Sequence, residues 1–445
     1  MKNLYDILSL RMRTYRRFGV NKILLKQIIQ EQAESAKAEK PVNIIKRDVQ
    51  DSAGLPGKTG RHAVVITGIR RCGKSTLMRT IRNMYYENDS YSFSFEDERL
   101  VGFEAAELNM LFECFLELYG EKSTIFLDEI QNVGGWEAFV RRQQDAGYKF
   151  FITGSNASLL GREMGTKLTG RNIRIELYPF SFSEYLNFTG SDADRAETSK
   201  EKAKIKRAFN IWLKNGGMPE YLKYNDPAML KHVYDDILYR DIAVRYGIKN
   251  VKVLRELALY MLSNTGRRFS YNSTAKFLGL GSMNTVKSFL DYMENSYMIF
   301  VVHGFDFSLK KQFLSEKKAY CVDNGLAGSV TFGFSEDKGR YLENAVFMEL
   351  KRRGKDVYYY TTKNGREVDF IARGENNKQA LIQVCFEMES PKTRKREITA
   401  LTEAMEETGI KNSLIITDDR EEKIKTDSGV IEALPAYRWM TAKDR

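Results

Sequence analysis

The sequence contains few of the residues that build disulfide frameworks and metal sites. Its 445 residues include four cysteines and three histidines, and no two cysteines form a CxxC pair. Because disulfide frameworks and zinc sites need closely spaced ligands, neither kind of site is indicated. The seven prolines and 32 glycines form no repeat or low-complexity tract, which excludes a fibrous protein.

Long apolar runs are also missing. No stretch of about 18 apolar residues is present to span a bilayer, and the N-terminus contains Arg11, Arg13, Arg16 and Arg17 where a secretory signal needs an apolar segment. We therefore expect a cytoplasmic protein with no membrane partner. The net charge of +11 favours polyanionic partners without specifying nucleic acid.

A strand, a glycine-containing loop and a helix are predicted between residues 62 and 82. Two glycines in this loop would let backbone N–H groups approach phosphate oxygens closely. The helix N-terminus, the Lys74 ammonium and the Ser75 hydroxyl would complete a P-loop for ATP and Mg²⁺. The candidate nucleotide ligands are Gly68, Ile69, Arg70, Arg71, Cys72, Gly73, Lys74, Ser75 and Thr76.

Two carboxylates end a second predicted strand, residues 124–128. Asp128 is placed to hold the magnesium shell with Ser75, and Glu129 is placed to orient and deprotonate the attacking water. The alternative interpretation is an exposed acidic strand end. Together with the P-loop, the pair predicts ATP hydrolysis.

Two further polar residues are candidates for catalysis. Asn156 follows the predicted strand 149–153 and suits a sensor of water or γ-phosphate, with capping of the following turn as the alternative. Arg171 precedes the last predicted strand, where an arginine would reach the phosphate of a neighbouring subunit in a homo-oligomer. Arg162 competes for that role, and a solvated basic loop is the alternative for both arginines.

The order of the predicted strands indicates an α/β fold. They are residues 62–67, 91–96, 124–128, 149–153 and 173–178, with helical patterns between them. Strands that alternate with helices form a parallel sheet that is covered on both faces.

Several motifs together resemble a known family. They are Gly68-Ile-Arg-Arg-Cys-Gly-Lys-Ser75, Phe95-Glu-Asp-Glu-Arg-Leu100, Phe126-Leu-Asp-Glu-Ile-Gln131 with Trp136, Thr153-Gly-Ser-Asn156 and Pro179-Phe-Ser-Phe-Ser-Glu-Tyr185. The chain is similar, from about Val42 to Thr417, to bacterial and archaeal AAA-type ATPases with a C-terminal domain of unknown function. The resemblance implies an AAA-like core, then a winged helix, then a domain similar to restriction endonucleases.

The middle of the chain predicts three helices, residues 251–262, 271–278 and 282–298. In the third, Val286, Phe289, Leu290, Met293 and Tyr297 share one face, which predicts burial. The polar face begins with Asn284, Thr285, Lys287 and Ser288, where helix-turn-helix proteins contact the major groove. The run 299–302 and the pair Lys310 and Lys311 suit a wing that touches phosphates. Duplex DNA and an unknown protein are both open as partners.

The C-terminal region predicts a helix followed by three strands. Active endonuclease-like domains have an aspartate on one strand and an acidic residue and a lysine, two positions apart, on the next. This chain has Asp369, but Gln383 and Cys385 stand at the other two positions. A neutral thiol cannot replace an ammonium beside a scissile phosphate, so we expect a degenerate nuclease domain. Glu343 is interpreted as a helix surface charge, with a leftover metal ligand as the alternative.

The predicted organisation therefore has five parts. They are a basic helical N-terminal segment (1–41), the AAA-like core (42–190), a helical linker or lid (191–250), a winged-helix domain (251–318) and an endonuclease-like domain (319–445). We expect an ATPase that drives a switch or motor acting on DNA or a protein. One alternative is a signalling scaffold whose domain arrangement is locked by bound ATP and which hydrolyses ATP slowly. The other is an ATP-regulated nuclease.

Overall fold

The computed structural model describes residues 20–38, 44–52, 60, 62–157, 172–191, 198–331, 337–374 and 377–442. The chain divides into two compact units. The first comprises residues 1–68 and 73–177, and the second comprises residues 69–72 and 178–445. No described helix is both long enough and apolar enough to cross a membrane.

A parallel sheet forms the centre of the first unit. Its five strands lie in the order β2-β3-β4-β1-β5, and each neighbouring pair is parallel. The strands are β1 (Ala63–Thr67), β2 (Ser90–Ser94), β3 (Thr124–Asp128), β4 (Lys149–Gly154) and β5 (Asn172–Glu176). The predicted α/β fold with a parallel sheet is confirmed.

The helices of this unit are α1 (Lys22–Ala38), α2 (Val49–Ser52), α3 (Lys74–Tyr85), α4 (Leu108–Tyr119) and α5 (Trp136–Asp145). Helices α1, α3, α4 and α5 pack against the sheet. Leu25, Ile28 and Ile29 of α1 enter the same apolar core as Tyr91 and Phe115. Helix α1 is therefore part of the packed core of this unit, and the domain boundary near residue 41 stays a prediction.

The second unit begins with helices. They are α6 (Phe182–Phe188), α7 (Ser199–Asn215), α8 (Pro219–Tyr224), α9 (Pro227–Asp236), a π-helical stretch (Ile237–Val244), α10 (Val251–Ser263), α11 (Tyr271–Phe277) and α12 (Met283–Asn295). The five apolar residues that were predicted to share one face of the third helix, in and just after α12, are all buried: Val286, Phe289, Leu290, Met293 and Tyr297.

A small antiparallel sheet accompanies α10 to α12. It has the order β6-β8-β7, formed by β6 (Arg268–Phe269), β7 (Ile299–His303) and β8 (Lys317–Cys321). Between β7 and β8 the chain forms the short helix α13 (Leu309–Leu314), which contains Lys310 and Lys311. Of the two parts of the predicted wing, the run 299–302 lies in β7 and the basic pair lies on α13, a segment with good helix formers and no β-branched residue. The winged helix itself stays a prediction.

The C-terminal part of the second unit is built on a mixed sheet. Its order is β13-β14-β12-β11-β10-β9. The strands are β9 (Asp356–Thr361), β10 (Glu367–Arg373), β11 (Gln379–Val384), β12 (Asn412–Thr417), β13 (Glu422–Thr426) and β14 (Gly429–Pro435). The helices are α14 (Asn324–Val330), α15 (Lys338–Arg352), α16 (Pro391–Thr408) and α17 (Ala436–Thr441). Helix α15 precedes three successive strands, which is the order expected from the sequence.

Candidate functional site

The P-loop connects β1 to α3. Strand β1 is completely buried, and the backbone leaves it through Gly68, with a φ of 152°. The loop ends at Gly73, whose φ of 99° is a conformation that glycine adopts without strain. Helix α3 then begins with Lys74, so the first N–H groups of the helix face the end of the loop. Thr76 lies in the first turn of α3, half-buried.

The middle of the loop, residues 69–72, groups with the second unit. There the Arg70 guanidinium donates two hydrogen bonds to Asp241, at 3.0 Å and 2.8 Å. The Arg71 guanidinium donates to Glu220 at 2.7 Å. Ile69 and Cys72 are buried, at 0% exposure. Both arginine side chains thus form ion pairs with carboxylates. We therefore expect the backbone N–H groups of this segment, rather than its arginine side chains, to contact phosphates.

Asp128 lies at the carboxyl end of β3, and its carboxylate accepts hydrogen bonds from two hydroxyl groups. The Ser75 hydroxyl donates to Asp128 Oδ1 at 3.1 Å, and the Thr153 hydroxyl donates to the same oxygen. Burial raises the pKa of Asp128, and the charge of neighbouring Glu129 adds to this rise, while the two hydroxyl bonds oppose it. A nearby cation would favour the ionised form of this carboxylate.

Glu129 follows directly and has an unusual backbone conformation. Its φ of 52° lies in the left-handed region, which is costly for a residue with a long side chain. Its backbone N–H donates to the Thr153 hydroxyl at 3.0 Å, and its carboxylate accepts a hydrogen bond from the Gln131 amide. The Lys74 ammonium lies 3.8 Å from the Glu129 carboxylate. The predicted phosphate-binding lysine and the predicted base are therefore adjacent.

The oxygen atoms of Ser75 and Asp128 fit a magnesium ion. Mg²⁺ prefers hard oxygen ligands and is commonly held by one or two protein oxygens together with phosphates and water. The 3.1 Å separation of Ser75 Oγ and Asp128 Oδ1 places two such oxygens side by side. Within the described ranges, no group of three or more His, Cys, Asp or Glu side chains is arranged to hold a metal alone. Phosphate oxygens would supply the missing ligands.

The remaining candidates for catalysis differ in how far the structure places them. Asn156 is buried, at 6% exposure, two residues beyond the end of β4. Arg171 and its competitor Arg162 lie outside the described residues. Their roles stay predictions.

Two residues of the site were not among the sequence-derived candidates. The Thr153 hydroxyl joins the Asp128 carboxylate to the backbone of Glu129, and the Gln131 amide binds both the Glu129 carboxylate and, at 3.3 Å, the Ser155 hydroxyl. Both belong to motifs that carry the family resemblance. A polar residue that ends a buried strand beside an acidic strand end is the signal that would have found Thr153.

The positions at which the sequence departs from active endonuclease-like domains lie in the second unit. Gln383 accepts a hydrogen bond from the backbone N–H of Asp369 at 3.3 Å. Burial raises the pKa of Cys385 to about 11, and its thiol contacts the Glu387 carbonyl oxygen at 3.3 Å. The thiol is therefore neutral at physiological pH and cannot act as an ammonium would. Glu343 binds Lys318 and Tyr320, so its interpretation as a helix surface charge is wrong.

The chain matches three protein-family models along its length. The AAA domain family matches residues 60–186, a domain of unknown function (DUF8612) matches residues 206–338, and a second one (DUF4143) matches residues 338–439. The uncharacterized protein MJ1544 of Methanocaldococcus jannaschii is 35% identical and covers 99% of both chains. An uncharacterized protein of Haemophilus influenzae is 30% identical over 73% of this chain and 82% of its own length.

A solved structure of the Aeropyrum pernix ORC1 protein in complex with DNA shares 13% identity, with 70% of this chain and 91% of that chain covered and a TM-score of 0.28. That score is too low to support an argument from overall shape. The full-length similarity to MJ1544 and the three matched domains confirm the resemblance drawn from the motifs. The chain therefore belongs to the family of proteins in which an AAA domain is followed by these two C-terminal domains of unknown function.

Proposed function

We propose that this protein hydrolyses ATP to ADP and phosphate at its P-loop. The observation that supports this most strongly is the polar chain from Ser75 through Asp128 and Thr153 to Glu129. It links a magnesium-type oxygen pair to a carboxylate suited to general-base work. Lys74, at 4% exposure and 3.8 Å from Glu129, would supply the positive charge for the β and γ phosphates.

In the proposed reaction, Glu129 accepts a proton from the attacking water as the water oxygen bonds to the γ-phosphorus. The bond between the γ-phosphorus and the β–γ bridging oxygen breaks, and ADP leaves with that oxygen. Gln131 holds the carboxylate by one hydrogen bond, and the left-handed backbone of Glu129 is held by the Thr153 hydroxyl. A base with a fixed orientation loses little free energy to reorganisation at the moment of reaction. Mg²⁺, when bound with ATP through Ser75 and Asp128, would neutralise charge on the phosphate oxygens.

We assign Asn156 to sensing the γ-phosphate or the attacking water, because it lies beside the carboxyl end of β4. Arg171 would act on the nucleotide of a neighbouring copy, which makes the active species a homo-oligomer. The division of the second unit into a lid (191–250), a winged helix (251–318) and an endonuclease-like domain (319–445) remains part of this proposal.

Replacement of Glu129 by Gln tests the assignment of the base. The amide keeps the size and the hydrogen-bonding capacity of the side chain but cannot accept a proton, so turnover should fall by roughly two to four orders of magnitude. Affinity for a non-hydrolysable ATP analogue should be retained. Glu121→Gln changes an exposed acid of the same unit and is the matched control. Turnover of Glu129→Gln close to that of the control would show that Glu129 is not the base.

The same measurement separates hydrolysis from the scaffold alternative. A signalling scaffold that ATP merely locks would turn over very slowly in the wild type, and Glu129→Gln would change little. An ATP-regulated nuclease would instead cleave DNA with a divalent metal. The neutral thiol of Cys385 argues against this third candidate.

The segment 251–318 offers two kinds of surface to a target. Asn284 is exposed in the first turn of α12 and Lys287 is half-buried one turn later, and a polar and a basic residue at the start of such a helix suit duplex DNA. The connection between β7 and β8 instead exposes large apolar side chains, which suit a protein partner: Phe307, Leu309, Phe313 and Leu314 are 69–78% exposed. DNA and protein thus stay alternative targets.

Salt dependence of duplex binding discriminates between them. If α12 binds DNA, the logarithm of affinity should fall with the logarithm of salt by about 0.9 per phosphate contacted. Lys287→Ala or Lys310→Ala should each make that slope shallower by about 0.9, the value for one lost phosphate contact. Absence of duplex binding at low salt, together with full ATPase activity, would favour the protein partner.

A further inference from the structure

An acidic cluster in the second unit surrounds one buried lysine. Lys318 of β8 is 2% exposed, and its ammonium lies 3.0 Å from Glu343 of α15. The same ammonium lies 2.6 Å from Glu367 and 3.8 Å from Asp369, both on β10. One internal cation therefore faces three carboxylates from two elements.

Other groups complete the cluster. The Tyr320 hydroxyl donates to Glu343 at 2.7 Å, and the Arg268 guanidinium contacts Glu367 at 2.5 Å. Asp369 accepts a hydrogen bond from the backbone N–H of Val384 at 2.8 Å. Each carboxylate thus has a second donor besides Lys318, which buried charges require to remain stable.

The endonuclease-like fold expected for this region implies a divalent metal at its acidic residues. The residues here do not fit that metal. Gln383 is engaged by the backbone of Asp369, Cys385 is a neutral thiol, and an ammonium already lies among the carboxylates that a metal would need. A divalent cation bound by the same carboxylates would lie within a few ångströms of the ammonium, and the two positive charges would repel each other.

We infer that the Lys318 ammonium is the resident cation of this cluster and supplies the positive charge that a divalent metal supplies in active endonuclease-like domains. Lys318 belongs to β8, outside the predicted endonuclease-like helix and strands. An ammonium in place of a metal ion therefore also connects β8 to α15 and β10 through ion pairs. The cluster is consequently a metal-independent structural link, and its integrity does not depend on magnesium.

The electrostatics of the cluster are consistent with a permanently charged lysine. Burial by itself would lower the pKa of Lys318, but the charges of Glu343, Asp369 and Glu367 outweigh it and hold the pKa well above its usual value. Burial also raises the pKa of Asp369 well above its ordinary value, with the charge of Glu343 adding to the rise. Removal of the ammonium would leave carboxylates that repel one another.

Manganese binding tests the inference directly. The number of Mn²⁺ ions bound to the nucleotide-free full chain is measured by electron paramagnetic resonance for wild type, Glu343→Gln and Lys318→Ala. Wild type and Glu343→Gln should bind the same number, because no metal resides at the cluster. Lys318→Ala should bind one more ion, since three carboxylates then face a vacated cation position. That extra ion should be lost in Lys318→Ala/Glu343→Gln.

Two results of the titration would overturn the inference. One is a wild-type Mn²⁺ ion that disappears in Glu343→Gln, and the other is a folded Lys318→Ala variant that binds no additional ion. If Lys318→Ala does not fold, Lys318→Met and Lys318→Met/Glu343→Gln decide by thermal unfolding. Loss of a buried charge partner should lower Tm by about 10 °C in the single variant, and the double variant should recover part of it. No recovery would refute the proposed ion pairing.

Discussion

Replacement of Thr153 by Val removes one hydroxyl from the nucleotide site while keeping the shape of the side chain. Thr153 is completely buried at the end of β4, at 0% exposure. Its hydroxyl donates to the Asp128 carboxylate and accepts the backbone N–H of Glu129 at 3.0 Å. The variant therefore breaks two hydrogen bonds that position both candidate functional carboxylates.

The expected loss follows from the two bonds. A hydrogen bond to a charged group contributes about 1.5–3 kcal/mol, and a buried N–H without a partner costs about 1–3 kcal/mol. We expect the first unit to lose about 2.5–6 kcal/mol of its free energy of unfolding. The Thr153 bond also lowers the pKa of Asp128, so its removal should raise that pKa further. A carboxylate that ionises less readily would bind Mg²⁺ more weakly.

The assay compares Thr153→Val with Thr153→Ser, which keeps the hydroxyl and loses a methyl group worth about 0.8 kcal/mol. Urea unfolding gives stability, and ATPase turnover is measured against Mg²⁺ concentration. In Thr153→Val the Mg²⁺ concentration for half-maximal turnover should rise by about tenfold or more, which corresponds to about 1.4 kcal/mol. The Ser variant should stay within about threefold of wild type. Equal stability and equal Mg²⁺ dependence of the two variants would refute the positioning role of Thr153.

Two further predictions concern assembly and pH. Lys74→Ala should abolish ATP binding, whereas Arg171→Ala should lower turnover while ATP still binds. A mixture of the two variants should regain part of the ATPase activity, because one chain keeps the P-loop and the other supplies the arginine. If the two variants associate but the mixture stays inactive, a site shared between chains is excluded. Burial raises the pKa of Glu294 from 4.5 to about 7. Its contribution to stability is thus fully present below pH 4.5 and is lost as pH rises to about 7, which amounts to about 3 kcal/mol. Glu294→Gln, which can still accept the Val301 N–H bond of 2.7 Å, should be more stable than wild type at pH 8 and equal below pH 4.5. An equal difference at both pH values in urea unfolding would contradict the assignment.

Local sequence patterns determined the elements of the nucleotide site. The β-branched run before Gly68, the glycine at position 73 and the helical pattern after Ser75 each constrain the backbone within a few residues. The strand that ends at Asp128 is encoded in the same way. These features therefore yielded the P-loop, the candidate base and the alternation of strands and helices that predicts a parallel sheet.

The contacts between these elements were decided by the tertiary structure alone. Thr153 meets Asp128 because β4 lies beside β3 in register, 25 residues apart in the chain, and no local pattern encodes that register. Lys318 and Glu343 are likewise 25 residues apart and sit on different elements. The sequence shows that Glu343 is an acidic residue of a helix. Whether its carboxylate contacts water or a buried ammonium depends on the packing of β8 against α15. A side chain's chemistry is set by its neighbours in space, and those neighbours come from the packing of the whole unit.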